Sequence, residues 1–228
     1  MEGPSYEERP SAVAGAVLWS REMGPGGGHT RVLPDGCMDL LLWDGELVIA
    51  GPDTHAHLVR ESPGRRRVTG LRFAPGTGPR FFGVPAHELR DLRVPLTAVW
   101  PDARVRELAE RATEDGLERA ALRLATAYGP DPLPAAVLAE LRAGRTVTEI
   151  AASTGVTERT LHRRCTAAFG YGPKTLDRVL RLQRALELAR AGTPLATAAA
   201  RAGYADQAHL SREVRALAGV TASDLLRA

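Results

Sequence analysis

Two groups of side chains in this 228-residue chain have the types and spacing to read the edges of DNA bases. The first is Arg159, His162 and Arg163; the second is Gln207, His209, Ser211 and Arg212. An arginine can donate two parallel hydrogen bonds to guanine O6 and N7, and a glutamine matches adenine N6 and N7. A well-made bidentate pair of this kind discriminates between bases by ~1–3 kcal/mol. Serine, histidine and the same arginines also serve as phosphate contacts, which place a protein on the duplex without reading sequence. The plainer alternative is a set of solvated charges on helix faces.

The elements that must carry these groups lie in residues 146–225, where one helix–turn–helix pattern occurs twice. The first copy reads TVTEIAASTGVTERTLHRRCTAAFG and the second TPLATAAARAGYADQAHLSREVRALAG. In each, a short Ala-rich helix meets a glycine (Gly155, Gly203) and a polar residue opens a second helix. Such a turn holds the second helix proud of the domain, where it can enter a major groove. Thr157 and Asp206 are the expected N-caps. Leu161, Phe169, Leu210 and Val214 should turn inward and leave the two polar groups outside. A long helix from Pro173 to Ala191 joins the copies, opened by Pro173 and stopped by Gly192. It would fix the separation of the reading helices, which must be about 34 Å on one face of B-DNA. Thr146, Thr175 and Arg178 are expected phosphate contacts.

Charge is distributed to match. Residues 144–228 hold 13 Lys/Arg against 7 Asp/Glu, a net of +6, whereas the whole chain is +3 and the rest therefore about −3. A basic module joined to a mildly acidic one is expected where only one part meets nucleic acid. Arginine abundance alone says little, because Ala and Gly are enriched with it. No apolar run approaches the ~20 residues of a membrane span. The expectation is a cytoplasmic protein with no membrane partner.

Residues 11–82 read as short strands broken by Gly and Pro, with Asp44-Gly45 as the strongest hairpin signal. Residues 1–10 are polar and expected to fray. Pro85 opens a helical turn, and Pro101–Ala127 should hold two helices separated at Gly116. The linker-like segment at Gly129–Pro134 suggests residues 1–130 as one domain and residues 131–228 as another. The expected fold is α+β: a small β-barrel or cupin-like domain with following helices, then an all-α domain with two helix–turn–helix units joined by a long helix.

The N-terminal part offers few groups for catalysis. His55 and His57, with Glu61, would share one face of a strand, as in a metal-binding cupin, with His29 or His87 as a further ligand. Surface histidines explain the same residues, so no metal ligand is assigned. Cys37 has no neighbouring His or Lys to lower its pKa and reads as a structural thiol, and Cys165 lies far from it in sequence. No nucleophile elbow, phosphate loop or dinucleotide fingerprint occurs. No catalytic residue and no cofactor is expected. Arg65-Arg66-Arg67 reads as a solvated turn.

TEIAASTGVTERTLHRRCTAAFGYGPKTL, the RLQRALEL helix and AAARAGYADQAHLSREVRALAGVTASDLL together resemble the DNA-binding domain of the AraC/XylS transcription regulators over roughly Gly144–Leu226. The departures are Thr221-Ala222, where a Pro-containing step is usual, and Cys165, where a large aromatic is common. The resemblance implies that Arg159, His162 and Arg163 occupy base-reading positions. PDGCMDLLLW and LRFAPG…FFGVP more loosely resemble the sensory domains attached to such regulators, which lends a domain type and no ligand.

The function expected is therefore a sequence-specific regulator that binds promoter DNA and is modulated by a ligand or partner at its N-terminal domain. A small-molecule effector, RNA polymerase and a second copy of the chain are the further partners it would take. Trp19, Trp43, Phe73, Phe81 and Phe82 are the aromatics a ligand pocket would draw on, although core packing is their commoner use. Two other readings stay open: a constitutive DNA-binding protein whose N-terminal domain only dimerises, and a metal-dependent cupin-type enzyme fused to a DNA-binding domain.

Overall fold

The computed structural model describes residues 6–23, 29–60, 66–125 and 131–227. Alternating apolar and polar positions, punctuated by Gly and Pro, give eight strands among the described residues. They are β1 (Tyr6–Pro10), β2 (Ala16–Met23), β3 (His29–Val32), β4 (Met38–Trp43), β5 (Glu46–Ala50), β6 (His57–Arg60), β7 (Arg66–Phe73) and β8 (Arg93–Pro95). Six of them form one antiparallel sheet in the order β1-β2-β7-β4-β5-β8, and β3 pairs with β6 as a separate ribbon. The β4–β5 hairpin turns on Asp44-Gly45 with φ of 51° and 82°, as the Asp-Gly signal requires. The sheet is open, so the cupin-like architecture is carried without a closed barrel among the described residues.

The strand period of two gives the sheet two unlike faces. Met38, Leu40, Leu47, Ile49, Leu71 and Phe73 are buried on one face, against α1 (Gly78–Phe82), α2 (Asp102–Glu114) and α3 (Leu117–Ala125). Phe81, Phe82 and Trp100 complete this core, and Trp100 Nε1 donates to the Phe82 carbonyl at 2.8 Å. Trp19, Asp39, Leu41, Trp43 and Arg72 occupy the other face.

The expected fraying of the N-terminus is overturned for residues 6–10, which pair with β2 although all five are exposed. Glu118 on α3 supplies the reason. It accepts from Arg9 (2.5 and 3.1 Å), the Ser11 hydroxyl (2.7 Å) and the Ala12 amide (2.8 Å). Residues 1–5 lie outside the described residues.

The second half contains α4 (Pro132–Arg142), α5 (Val147–Thr154), α6 (Glu158–Phe169), α7 (Pro173–Arg190), α8 (Leu195–Arg201), α9 (Gln207–Ala218) and α10 (Ala222–Arg227). Its apolar residues form two clusters that share one helix. Leu176 and Val179 of α7 belong to the core of α4–α6, and Leu182, Ala185 and Leu186 to the core of α8–α10. At 1.5 Å rise per residue α7 is ~27 Å long, a spine between the two helix–turn–helix units.

Both units also rest on the first half. Arg90 donates to the Gly170 carbonyl at the end of α6 (3.3 Å). The Ala56 amide and Arg31 Nε donate to the Leu217 and Ala218 carbonyls at the end of α9, at 2.7 and 2.8 Å. These carbonyls have no partner further along the helix, so the ribbon region acts as a C-terminal cap for α9.

Candidate nucleic-acid interface

Each candidate reading helix, α6 and α9, starts where its cap residue dictates. Thr157 Oγ1 accepts from the Thr160 amide at 3.2 Å, and Asp206 Oδ1 accepts from the His209 amide at 2.6 Å. The preceding helices, α5 and α8, end in tight turns with Gly155 at φ 69° and Gly203 at φ 81°, a left-handed conformation that suits glycine. Thr148 donates to Glu158 at 2.6 Å and ties α5 to the first turn of α6. Leu161, Cys165 and Phe169 are buried beneath α6, and Leu210, Val214 and Leu217 beneath α9. The 3.6-residue period then leaves the polar groups outside.

Arg159 and Arg163 are exposed one turn apart on α6. Neither pairs with a carboxylate among the described residues, so both guanidinium forks are open to solvent. Arg164, the neighbour of Arg163, is committed to Asp131 at 3.2 Å. His162 is exposed but lies against Gly172, where a Cβ would come within 2.5 Å of its Nε2. On α9, Gln207 and Arg212 are exposed. Ser211 spends its hydroxyl proton on the Gln207 carbonyl (2.9 Å) and keeps its lone pairs. His209 is half-buried, its ring edge-on to Tyr204 with centroids 5.2 Å apart. Of the seven sequence-derived residues, Arg159, Arg163, Gln207 and Arg212 are the open ones, and His209 is the one held inward.

Arg178 departs from its expected role at phosphate. Its Nε and Nη2 donate to Glu213 at 2.9 and 3.1 Å, a fork that joins α7 to α9. Thr146 is engaged as well, in a capping box with Glu149 at the start of α5. Glu213 and Tyr204 went unread in the sequence. Glu213 stands next to Val214 on the flank of the buried stripe, and that position was the available signal.

The His-x-His reading is corrected. Of the pair His55 and His57, His57 alone lies on a strand. His55 precedes β6, with 67% of its side chain exposed, near Asp91 at 3.6 Å and bonded to Thr54 at 3.1 Å. Thr54 is itself fixed by Asp91, which holds this turn out of the strand. Glu61 and Arg65 lie outside the described residues. Among those described, no three His, Cys, Asp or Glu side chains gather as a metal-binding group. Burial raises both thiols, Cys37 well above its ordinary value and Cys165 to about 12.

Residues 150–228 match the family described as a helix-turn-helix domain. They form an AraC-type helix-turn-helix domain. Residues 16–95 match a family described as a domain of unknown function, DUF6597. The AraC-type domain marks a DNA-binding transcription regulator. The whole chain is similar in fold to crystal structures of ToxT from Vibrio cholerae. For ToxT of strain O395 the identity is 9% and the TM-score 0.50, over 93% of this chain and 97% of that one. A second crystal form gives 8%, 0.50, and 98% of each chain. An apo ToxT variant from strain SCE256 gives 11%, 0.50, and 96% and 99%. Among curated proteins, none matches the chain. No helix among the described residues is long and apolar enough to cross a membrane.

Proposed function

We propose that the chain is a sequence-specific transcription regulator in which residues 131–228 read promoter DNA and residues 1–130 modulate that reading without catalysis. The observation that carries this is the contrast among the arginines. Among the described residues Arg159, Arg163 and Arg212 have no carboxylate partner on the outer faces of two capped helices, while Arg164 and Arg178 are held by Asp131 and Glu213. An exposed guanidinium with no carboxylate partner keeps its full donor fork for guanine or phosphate. The net +6 of residues 144–228 supplies the sequence-independent attraction. The modulating role is supported by the hydrogen bonds from Arg31, Ala56 and Arg90 to the ends of both reading helices.

Selection of genomic fragments at about 0.15 M salt tests the reading. Wild type should enrich one site, with Arg163→Ala and Arg212→Ala each losing it; the expected cost per bidentate contact is ~1–3 kcal/mol. Binding by all three proteins without sequence preference would overturn the assignment.

A further inference from the structure

The sheet face turned away from the helical core is roofed by the β3–β6 ribbon, which sets Val32 and Val59 opposite Trp19, Leu41 and Trp43. The space between is a cavity of about 140 Å³. An apolar cavity of ~150 Å³ holds benzene, so this one is sized for a single six-membered ring. Trp19 can lie low in it because Gly70 is beneath: a Cβ there would come within 2.4 Å of the indole.

One end of the cavity is polar. Asp39 Oδ1 accepts from Trp19 Nε1 at 2.6 Å and lies 3.4 Å from Arg72 Nε. That Nε is buried and has no hydrogen-bond partner among the described residues. A guanidinium carries five donors, so Arg72 retains N–H groups for a ligand oxygen, beside a carboxylate that can accept. The arginines of this polar end, Arg72 and Arg93, are balanced by carboxylates and leave no charge there to draw in an anion, whereas Arg21, the third arginine of the lining, has no carboxylate partner among the described residues and stands at the mouth shared with the neighbouring cleft. Arg72 faces both Asp35 and Asp39, and Arg93 is held by Asp53 at 2.6 and 2.7 Å. Tyr6, Arg21, Val32 and Arg72 also line a larger cleft that reaches Gln183 and Leu225 of the helical half, which gives a route in.

The roof of the cavity is also the cap of α9. Val32 faces the cavity, and Arg31 beside it donates to Ala218; Val59 faces it, and Ala56, just ahead of β6, donates to Leu217. A ring that lifts the ribbon must shift these bonds, because the ribbon is paired along its length from His29↔Arg60 to Val32↔His57.

We propose that this cavity is an effector site for a small neutral aromatic molecule carrying a hydrogen-bond acceptor beside a donor, and that the β3–β6 ribbon transmits its occupancy to the second reading helix. The transmission rests on the DNA-binding reading above; the binding site does not. The test uses the full chain with benzamide and 2-pyridone as neutral probes, benzoate as the anionic one and toluene as the one without polar groups. Calorimetry and tryptophan fluorescence should show a neutral probe binding at least tenfold tighter than benzoate or toluene. Val59→Phe, or Val32→Phe should the first variant fold poorly, fills the cavity and should abolish that binding. A saturating neutral probe should change wild-type affinity for the selected DNA by threefold or more. Arg31→Ala should bind the probe and lose that effect. Failure of both neutral probes to bind, or binding that survives in the filled variant, overturns the site. Tightest binding of benzoate overturns the neutral class. Binding with no change in DNA affinity overturns the transmission. Absence of DNA binding without any probe overturns the regulator reading instead.

Discussion

Arg178 and Glu213 should be unequal partners. The carboxylate is the more enclosed, its side chain 16% exposed against 41% for the arginine, and it receives two hydrogen bonds from the fork. Arg178→Met keeps the aliphatic stem and strands a largely enclosed charge, with loss of two charge-assisted bonds; the expected cost is ~2–3 kcal/mol. Glu213→Gln frees a guanidinium that is already two-fifths exposed and regains water, so its cost should be ~0.5–1 kcal/mol. In a chain of this size each kcal/mol moves the melting temperature by ~2–4 °C, so the variants should separate clearly in thermal melts. A double-mutant cycle by urea unfolding should return a coupling of ~1–2 kcal/mol, as expected for contacting residues. Because the fork orients α9 on α7, both variants should weaken DNA binding. If Glu213→Gln costs as much as Arg178→Met, or the coupling is below ~0.3 kcal/mol, the argument from unequal burial is wrong.

Four further outcomes follow from the same geometry. Arg163→Ala and Arg212→Ala should each reduce the slope of log affinity against log salt by no more than about 1, with stability changes within ~0.5 kcal/mol, and Arg164→Ala should affect DNA binding least; anisotropy titrations at several salt concentrations and thermal melts check this. Gly70→Ala drives a methyl into the Trp19 indole and should destabilise by ~1–3 kcal/mol with a shift in tryptophan emission. Hydrogen bonds from Arg9, then from Ser11 and the Ala12 amide, hold the Glu118 carboxyl down to about 2. A depressed carboxyl stabilises the fold above its unfolded pKa and loses that contribution as pH falls, so β1 should loosen between about pH 4.5 and 2 by hydrogen exchange, and Glu118→Gln should loosen it at neutral pH. Neither thiol should react quickly with a disulfide reagent at pH 8 in the native state, because burial raises both; rapid labelling of Cys165 would contradict its place in the core.

The second half was legible in the sequence because its signals are local. Helix period, the caps Thr157 and Asp206, and the turn glycines each act within a few residues; α6 and α9 begin at the expected caps, and α7 begins and ends within a residue of expectation. The outward placement of Arg159, Arg163 and Arg212 follows from the same period. What the sequence hid depends on partners far along the chain. The strand at Tyr6–Pro10 is held by Glu118, more than a hundred residues away. Arg178 is taken by Glu213 across 35 residues; His209, held by Tyr204 from the preceding turn, is the local exception. The five aromatics divide in the same way: Trp19 and Trp43 reach the cavity, and Phe73, Phe81 and Phe82 go to the core. Sheet register decides for Trp19, Trp43 and Phe73, and the packing of α1 onto the sheet for Phe81 and Phe82.

The latch on β1 has a consequence for solubility. Tyr6–Pro10 forms one edge of the six-stranded sheet, and its two glutamates, arginine and proline make a poor template for another chain. Behind it stands β2, whose Ala16-Val17-Leu18-Trp19 run is strongly strand-forming. When Glu118 is protonated and β1 detaches, that run becomes the open edge while the rest of the sheet stays paired through β7. Acid in the window from about pH 4.5 down to 2 should therefore promote self-association through this edge, and a single carboxylate decides where on the pH scale that begins.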